Sequence, residues 1–247
     1  MDSRVVTLKS KEDMVPIQKL ILELSSMQKP PPLEIRIEAD FSDWWSLDWG
    51  NLLVGTPLDL QVDGGGHRLQ GMKMRVEGRH VHLKSLRMDG DKREGCLLQL
   101  VASEEILLSD IVVGNTAPQA RNSGGRIPTR TLQLSAAAPG VKARAERVLI
   151  VDVPASDGVY IGSRGGGAGF SEVQWEEGRA GAVAAPLFSL GEVNVFSAHG
   201  TRILGSGTAV RAMPSTALLE EPAVLPEDAA LLAQWRAELA APGPASR

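Results

Sequence analysis

Cysteine is all but missing: Cys96 is the only one in 247 residues. An internal disulfide is excluded, and one thiol beside four histidines (His67, His80, His82, His199) gives no ligand set for a structural zinc site. Aromatic residues are scarce too, with five Trp, four Phe and one Tyr, so a stacking platform for single-stranded bases is poorly supplied. No apolar run approaches the roughly 20 residues of a helical membrane span; residues 148–153 are among the longest. The first residues lack the apolar centre of a secretory signal. A reducing, intracellular setting is expected. Reaction motifs are absent as well. Residues 165–169 (GGGAG) lack the Lys-Ser/Thr ending of a phosphate loop, and no helical pattern follows them. Asp152, Asp157, Ser156, Ser163 and His199 lie in no nucleophile-elbow context. No catalytic residue, metal or cofactor is expected.

What is present is a strand-forming pattern. Residues 5–8 read as a strand. Ser10 and Asp13 stand where N-caps belong, Pro16 falls in a first turn that tolerates it, and Ile17, Leu20, Ile21 and Leu24 recur at helical spacing. A helix over 14–27 follows, ended by the rigid spacer Lys29-Pro30-Pro31-Pro32. Residues 33–39 alternate apolar and polar, the mark of a half-buried strand. Short strands are expected at 58–62, 69–76, 80–88, 95–102, 132–134, 148–153, 172–175, 182–185, 192–196 and 201–204, with 69–76 and 80–88 paired as a hairpin near Glu77-Gly78. Residues 106–113 fit a strand or a short helix. Residues 40–50, with Trp44, Trp45 and Trp49, read as a loop carrying an apolar plug, and 115–130 as a loop by composition. Pro214, Pro222 and Pro226 break a linker, after which Leu231, Leu232, Trp235 and Leu239 line one side of a helix over 227–240.

About ten short strands and two helices predict a mainly β fold with a β-sandwich or jelly-roll-like core. The expected division is an N-terminal strand, helix and spacer over 1–32, a β-rich core over 33–213, and a separable linker, helix and tail over 214–247. No repeat of 20–50 residues stands out.

Charge gives the sharpest functional hint. The chain carries −4, yet residues 68–93 hold eight bases (Arg68, Lys73, Arg75, Arg79, Lys84, Arg87, Lys92, Arg93) against Glu77, Asp89 and Asp91. A second basic stretch contains Arg121, Arg126, Arg130, Lys142, Arg144 and Arg147. Cations gathered on strands of an acidic protein suit phosphates bound without base readout. The expected contacts are Arg68, Lys73, Arg75, Arg79, Lys84, Arg87, Arg121, Arg126 and Arg130, with Lys84 opposing Lys73 and Arg75 across the hairpin. The alternative is an ordinary solvated sheet face.

Over residues 55–153, the Gly64-Gly65-Gly66 turn, the paired strands after it, the turn from Asp89 to Arg93 and a closing strand near 148–153 together resemble plant-virus movement proteins. The resemblance is to the thirty-kilodalton superfamily, in its tombusvirus and umbravirus branch. It implies a jelly-roll-like core, non-specific single-stranded RNA binding, and action in the host cytoplasm and at plasmodesmata. It also implies a core-strand Asp, matched here by Asp89 or Asp91. Self-association and a host or viral protein at the C-terminal helix are the other expected partners. The shift to Ala, Gly, Arg and Pro after residue 117 suits an overlapping reading frame. The runner-up is a virion structural protein, a capsid or tail subunit with a β-sandwich core; an enzyme is third.

Overall fold

Period-two patterning yields strands, and the computed structural model contains nineteen of them among the residues it describes: 3–42, 46–50, 52, 55–90, 97–114, 130–153, 157–183, 186–205 and 208–244. The chain opens with β1 (Arg4–Leu8), a 3-10 turn, α1 (Met14–Ser25) and β2 (Leu33–Ile37). It then winds in turns of three strands. The first complete turn is β3 (Ser46–Trp49), β4 (Asp59–Asp63) and β5 (Arg68–Gln70). β6 (Lys73–Asp89) and β7 (Leu98–Gly114) each make a whole turn as one long bent strand. Next come β8 (Arg130–Ala136), β9 (Pro139–Glu146) and β10 (Leu149–Val153), then β11 (Asp157–Ser163), β12 (Gly169–Glu176) and β13 (Arg179–Val183). The last turns are β14 (Phe188–Leu190), β15 (Val195–Ser197) and β16 (Arg202–Leu204), then β17 (Val210–Ala212), β18 (Ala217–Glu220) and β19 (Ala223–Leu225). Helix α2 (Ala229–Ala240) follows.

The pairings among the described residues are parallel, and each strand from β8 onward pairs with the strand three places later. The result is a three-faced parallel β-solenoid. Face 1 carries β3, the start of β6, the start of β7, β8, β11, β14 and β17. Face 2 carries β1, β2, β4, the middles of β6 and β7, β9, β12, β15 and β18. Face 3 carries β5, the ends of β6 and β7, β10, β13, β16 and β19.

The mainly β composition and both terminal helices agree with the sequence. The sandwich or jelly roll does not: those folds are built from antiparallel pairs, and the pairs here are parallel. The expected hairpin of 69–76 with 80–88 is likewise replaced, because β6 wraps all three faces. An alternating strand buries one side whether its partner is a hairpin neighbour or the preceding turn, so patterning alone left this open.

Side chains stack in register through the interior. On face 2 the inward row is Leu33, Leu60, Val81, Ile106, Ala143, Val173, Phe196 and Leu218. On face 1 it is Leu47, Met74, Leu98, Leu132, Val159, Phe188 and Val210. Trp49, expected in a loop, points into this core from β3 and is buried. The repeat is hidden in the sequence because its length varies, from 21 residues between Leu60 and Val81 to 37 between Ile106 and Ala143.

The chain turns from face 2 to face 3 through a stack of left-handed corners. Ser85, Asp110, Arg147 and Glu177 have φ of 52°, 56°, 53° and 52°, and Gly200 continues the stack at 62°. A left-handed conformation costs a side-chain-bearing residue about 1–2 kcal/mol, part of which glycine returns through its looser unfolded chain. Glu177→Gly is therefore expected to raise stability by roughly 0.5–1 kcal/mol, read as a higher urea midpoint at unchanged m.

Helix α1 buries Ile17, Leu20, Ile21 and Leu24 against the first turn and closes that end of the core. Helix α2 begins at Asp228, whose carboxylate accepts from the backbone N–H of Ala230 and Leu231, both at 3.0 Å. Trp235 and Leu239 pack on Leu149, Val151 and Leu204, which point outward from face 3. The apolar run at 148–153 is thus buried on both sides. The segment expected to be a separable tail from 214 instead supplies the last solenoid turn and the cover of face 3.

Candidate functional site

The cations expected to form one basic face are distributed around the solenoid. Lys73 and Arg75 point out from face 1, Lys84 from face 2, and Arg68 and Arg87 from face 3. Most also meet an acid from a neighbouring turn. Arg68 bonds buried Asp89 at 3.0 Å. Arg79 forks onto Asp59 at 2.8 and 2.7 Å, holding that carboxyl below the usual carboxylate range. Lys84 lies 3.0 Å from Asp63. Arg87 donates to the carbonyls of Ala241 and Pro242, fixing the end of α2. Asp91, Arg121 and Arg126 lie outside the described residues, as do Cys96, Trp44 and Trp45, and the Arg130 side chain is not among those described.

Face 2 carries two outward rows rich in charge. Asp59, His80, Glu105, Lys142 and Glu172 form one outward row; Arg36, Asp63, Lys84, Ser109, Glu146 and Glu176 form another. The pair His80 and His82 does share this face, as period two requires. His80 is bracketed by Asp59 at 2.8 Å and Glu104 at 3.1 Å. His82 is pushed below its ordinary pKa by burial and then by Lys84, whereas His199, exposed beside Glu220 at 2.9 Å, is raised. A proton-resolved titration should therefore find His82 titrating on the acid side of an ordinary histidine and His199 on the alkaline side. The linkage signs are opposite. The His82 contribution is full above the unfolded pKa and falls as pH drops toward the folded one. The His199 contribution is full below the unfolded pKa and fades as pH rises through the folded one. Glu220→Gln should return His199 toward the ordinary value.

Face 3 is covered by α2, which leaves face 1. Its outward row, strictly in register, is Asp48, Arg75, Gln99, Gln133, Tyr160, Ser189 and Arg211. The four middle members are uncharged hydrogen-bonding side chains. The neighbouring row is Glu77, Val101, Ser135 and Gly162, with Gly191 against Gly162. Val101 and Ser135 in this row are buried, as is Ser189 in the first, whereas Gln99, Gln133 and Tyr160 are half-buried. Gly162 is required there, since a Cβ would fall 2.5 Å from the Tyr160 hydroxyl. Gln133 Nε2 donates to Ser135 Oγ at 2.9 Å.

At the N-terminal end of face 1 the Glu77 carboxylate is buried and contacted by both Arg75 and Arg164. Arg75 also lies 3.7 Å from Asp48. Arg164 belongs to the loop after β11, so its contact with Glu77 straps several turns together. That loop, the Gly-rich stretch singled out in the sequence, joins face 1 to face 2. Gly165, Gly166 and Gly167 take φ of 93°, 69° and 80°, which explains the run of glycine.

The longest connections border face 1: 15 residues separate β7 from β8, nine separate β3 from β4 and eight separate β6 from β7, whereas two residues link faces 2 and 3 after β9, β12 and β18. In repeat architectures, insertions collect around the face that binds. No family model matches the chain, and no curated protein or solved structure matches it.

Proposed function

We propose that this chain is a glycan-binding module, non-enzymatic, whose face 1 holds an extended neutral polysaccharide. The observation that carries this is the in-register row of half-buried Gln99, Gln133 and Tyr160, continued by buried Ser189. Carboxamides donate and accept at once, as hydroxyls do, so the row offers a polyhydroxylated chain repeated bonding partners at the ladder spacing of about 4.8 Å. Solenoids present such extended surfaces as a consequence of stacking. Tyr160 adds an apolar ring face beside a hydroxyl. Glu77 is taken up by Arg75 and Arg164 and is not assigned a contact with the glycan.

Single-stranded RNA, and with it a movement-protein role, is the second reading. It draws support from Lys73, which points out from the same face with no acid paired to it among the described residues, and from Arg75 and Arg211 at the two ends of the row. A panel of neutral and anionic polysaccharides, with single-stranded RNA beside them, separates the two. The glycan reading expects retention of a neutral polysaccharide that is insensitive to salt between about 50 and 200 mM and is abolished by Gln99→Ala with Gln133→Ala. RNA binding that falls steeply over the same range, with no neutral glycan retained, would replace it.

A further inference from the structure

The two ends of the solenoid are finished differently. Helix α1 covers the first turn, whereas among the described residues nothing covers the last. Among the described residues β17, β18 and β19 pair only with β14, β15 and β16, and the N–H and C=O groups along their other edges meet no strand. Leu218 and Val224 continue inward rows of the core. They are 37% and 44% exposed, against 0% and 8% for Phe196 and Ile203 one turn earlier. Leu219, the extra residue at a register shift in β18, is 71% exposed, and Met213, just after β17, is 46% exposed. Helix α2, the chain that follows, runs back along face 3 and leaves this end open.

We propose that the open end is a homodimer interface, on which a second copy docks tail to tail about a two-fold axis. Each last turn then pairs antiparallel with the other and the two cores become continuous. Exposed strand edges are templates for this kind of pairing, and an isologous interface must be self-complementary.

Charge selects the register. Arg211, outward on β17, has no ion-pair partner among the described residues, and neither have Glu221 and Glu227, which flank β19. A two-fold axis across the solenoid lays one face on itself and exchanges the other two. With β17 on β17, Arg211 would meet its own copy. With β17 over the β19 of the second copy, Arg211 falls between Glu221 and Glu227, and symmetry makes the contact twice. Continued head-to-tail stacking into a filament would need an open first turn, which α1 occupies, so assembly closes at two.

Light scattering coupled to size exclusion, run on the full chain across the micromolar range, reads this directly. The expected mass is twice 26.3 kDa. Arg211→Glu alone, and Glu221→Arg with Glu227→Arg, should each weaken the dimer about tenfold or more through like-charge contact. An equimolar mixture of the two variants should recover it. Leu219→Asp should give monomers with an unchanged circular dichroism spectrum, since the side chain is exposed in the single chain. A wild-type monomer throughout the range, open-ended oligomers, a dimer indifferent to the charge reversals, or reversed variants that stay monomeric when mixed would each overturn the proposal.

Discussion

Trp235→Ala is expected to lower the unfolding free energy by about 3–5 kcal/mol, the cost of removing a large buried aromatic without refilling its space. Trp235 is 1% exposed and sits on Leu149, Val151 and Leu204, the outward residues of face 3. The fit is close. A Cβ at Gly181 would stand 3.2 Å from the indole, and one at Gly114 would stand 2.4 Å from Leu239. Arg179 completes the site, with its guanidinium 5.9 Å from the indole centroid and bidentate on Glu238 at 2.7 and 2.7 Å. Loss of the indole therefore loosens the whole of α2 and uncovers an apolar strip on three turns. Truncation after Met213 should be more damaging still, because it also removes β18 and β19. Urea unfolding of the point variant measures the effect. A loss below about 1 kcal/mol would mean that α2 does not cover face 3 in solution.

Glu77→Ala is the second large expectation. Its side chain is 5% exposed between Arg75 and Arg164, which are 36% and 30% exposed. Removing one partner from a buried charge cluster costs about 3–5 kcal/mol; the solvent reach of both guanidinium groups reduces that here to about 2–3. Replacing Arg164 as well, as Glu77→Ala with Arg164→Leu, should recover part of the loss. The coupling can be read from a double-mutant cycle. Independent, additive effects of the two substitutions would contradict the strap between turns.

Much of the local structure was legible in the sequence. The helix expected over 14–27 forms over Met14–Ser25, and that over 227–240 forms over Ala229–Ala240, because helical spacing and caps are local signals. Period-two stretches such as 33–39 and 58–62 became β2 and β4. The way strands associate was not legible, since parallel partners lie one irregular turn away and no short-range turn chemistry marks them. The same distance hid the site. Arg79 looked free because Asp59 precedes it by a whole turn, and Lys84 because Asp63 does. Gln99, Gln133, Tyr160 and Ser189 fall in one line only after folding, separated by 34, 27 and 29 residues. The one available signal was their common place in alternating strands, each between two buried apolar residues. The apolar stripe of α2 fits either docking on the sheet or recruiting a partner as far as sequence goes; in the fold Trp235 and Leu239 pack on face 3.

Binding along face 1 is tested most directly by calorimetric affinity against chain length, using oligomers of a neutral polysaccharide retained by the protein. Arg75 to Arg211 spans five ladder steps, about 24 Å at 4.8 Å each. Affinity should climb as the oligomer lengthens toward that span and then level off, and the climb should disappear in Gln99→Ala with Gln133→Ala. An affinity independent of length, or a climb that survives in that variant, would contradict binding along face 1.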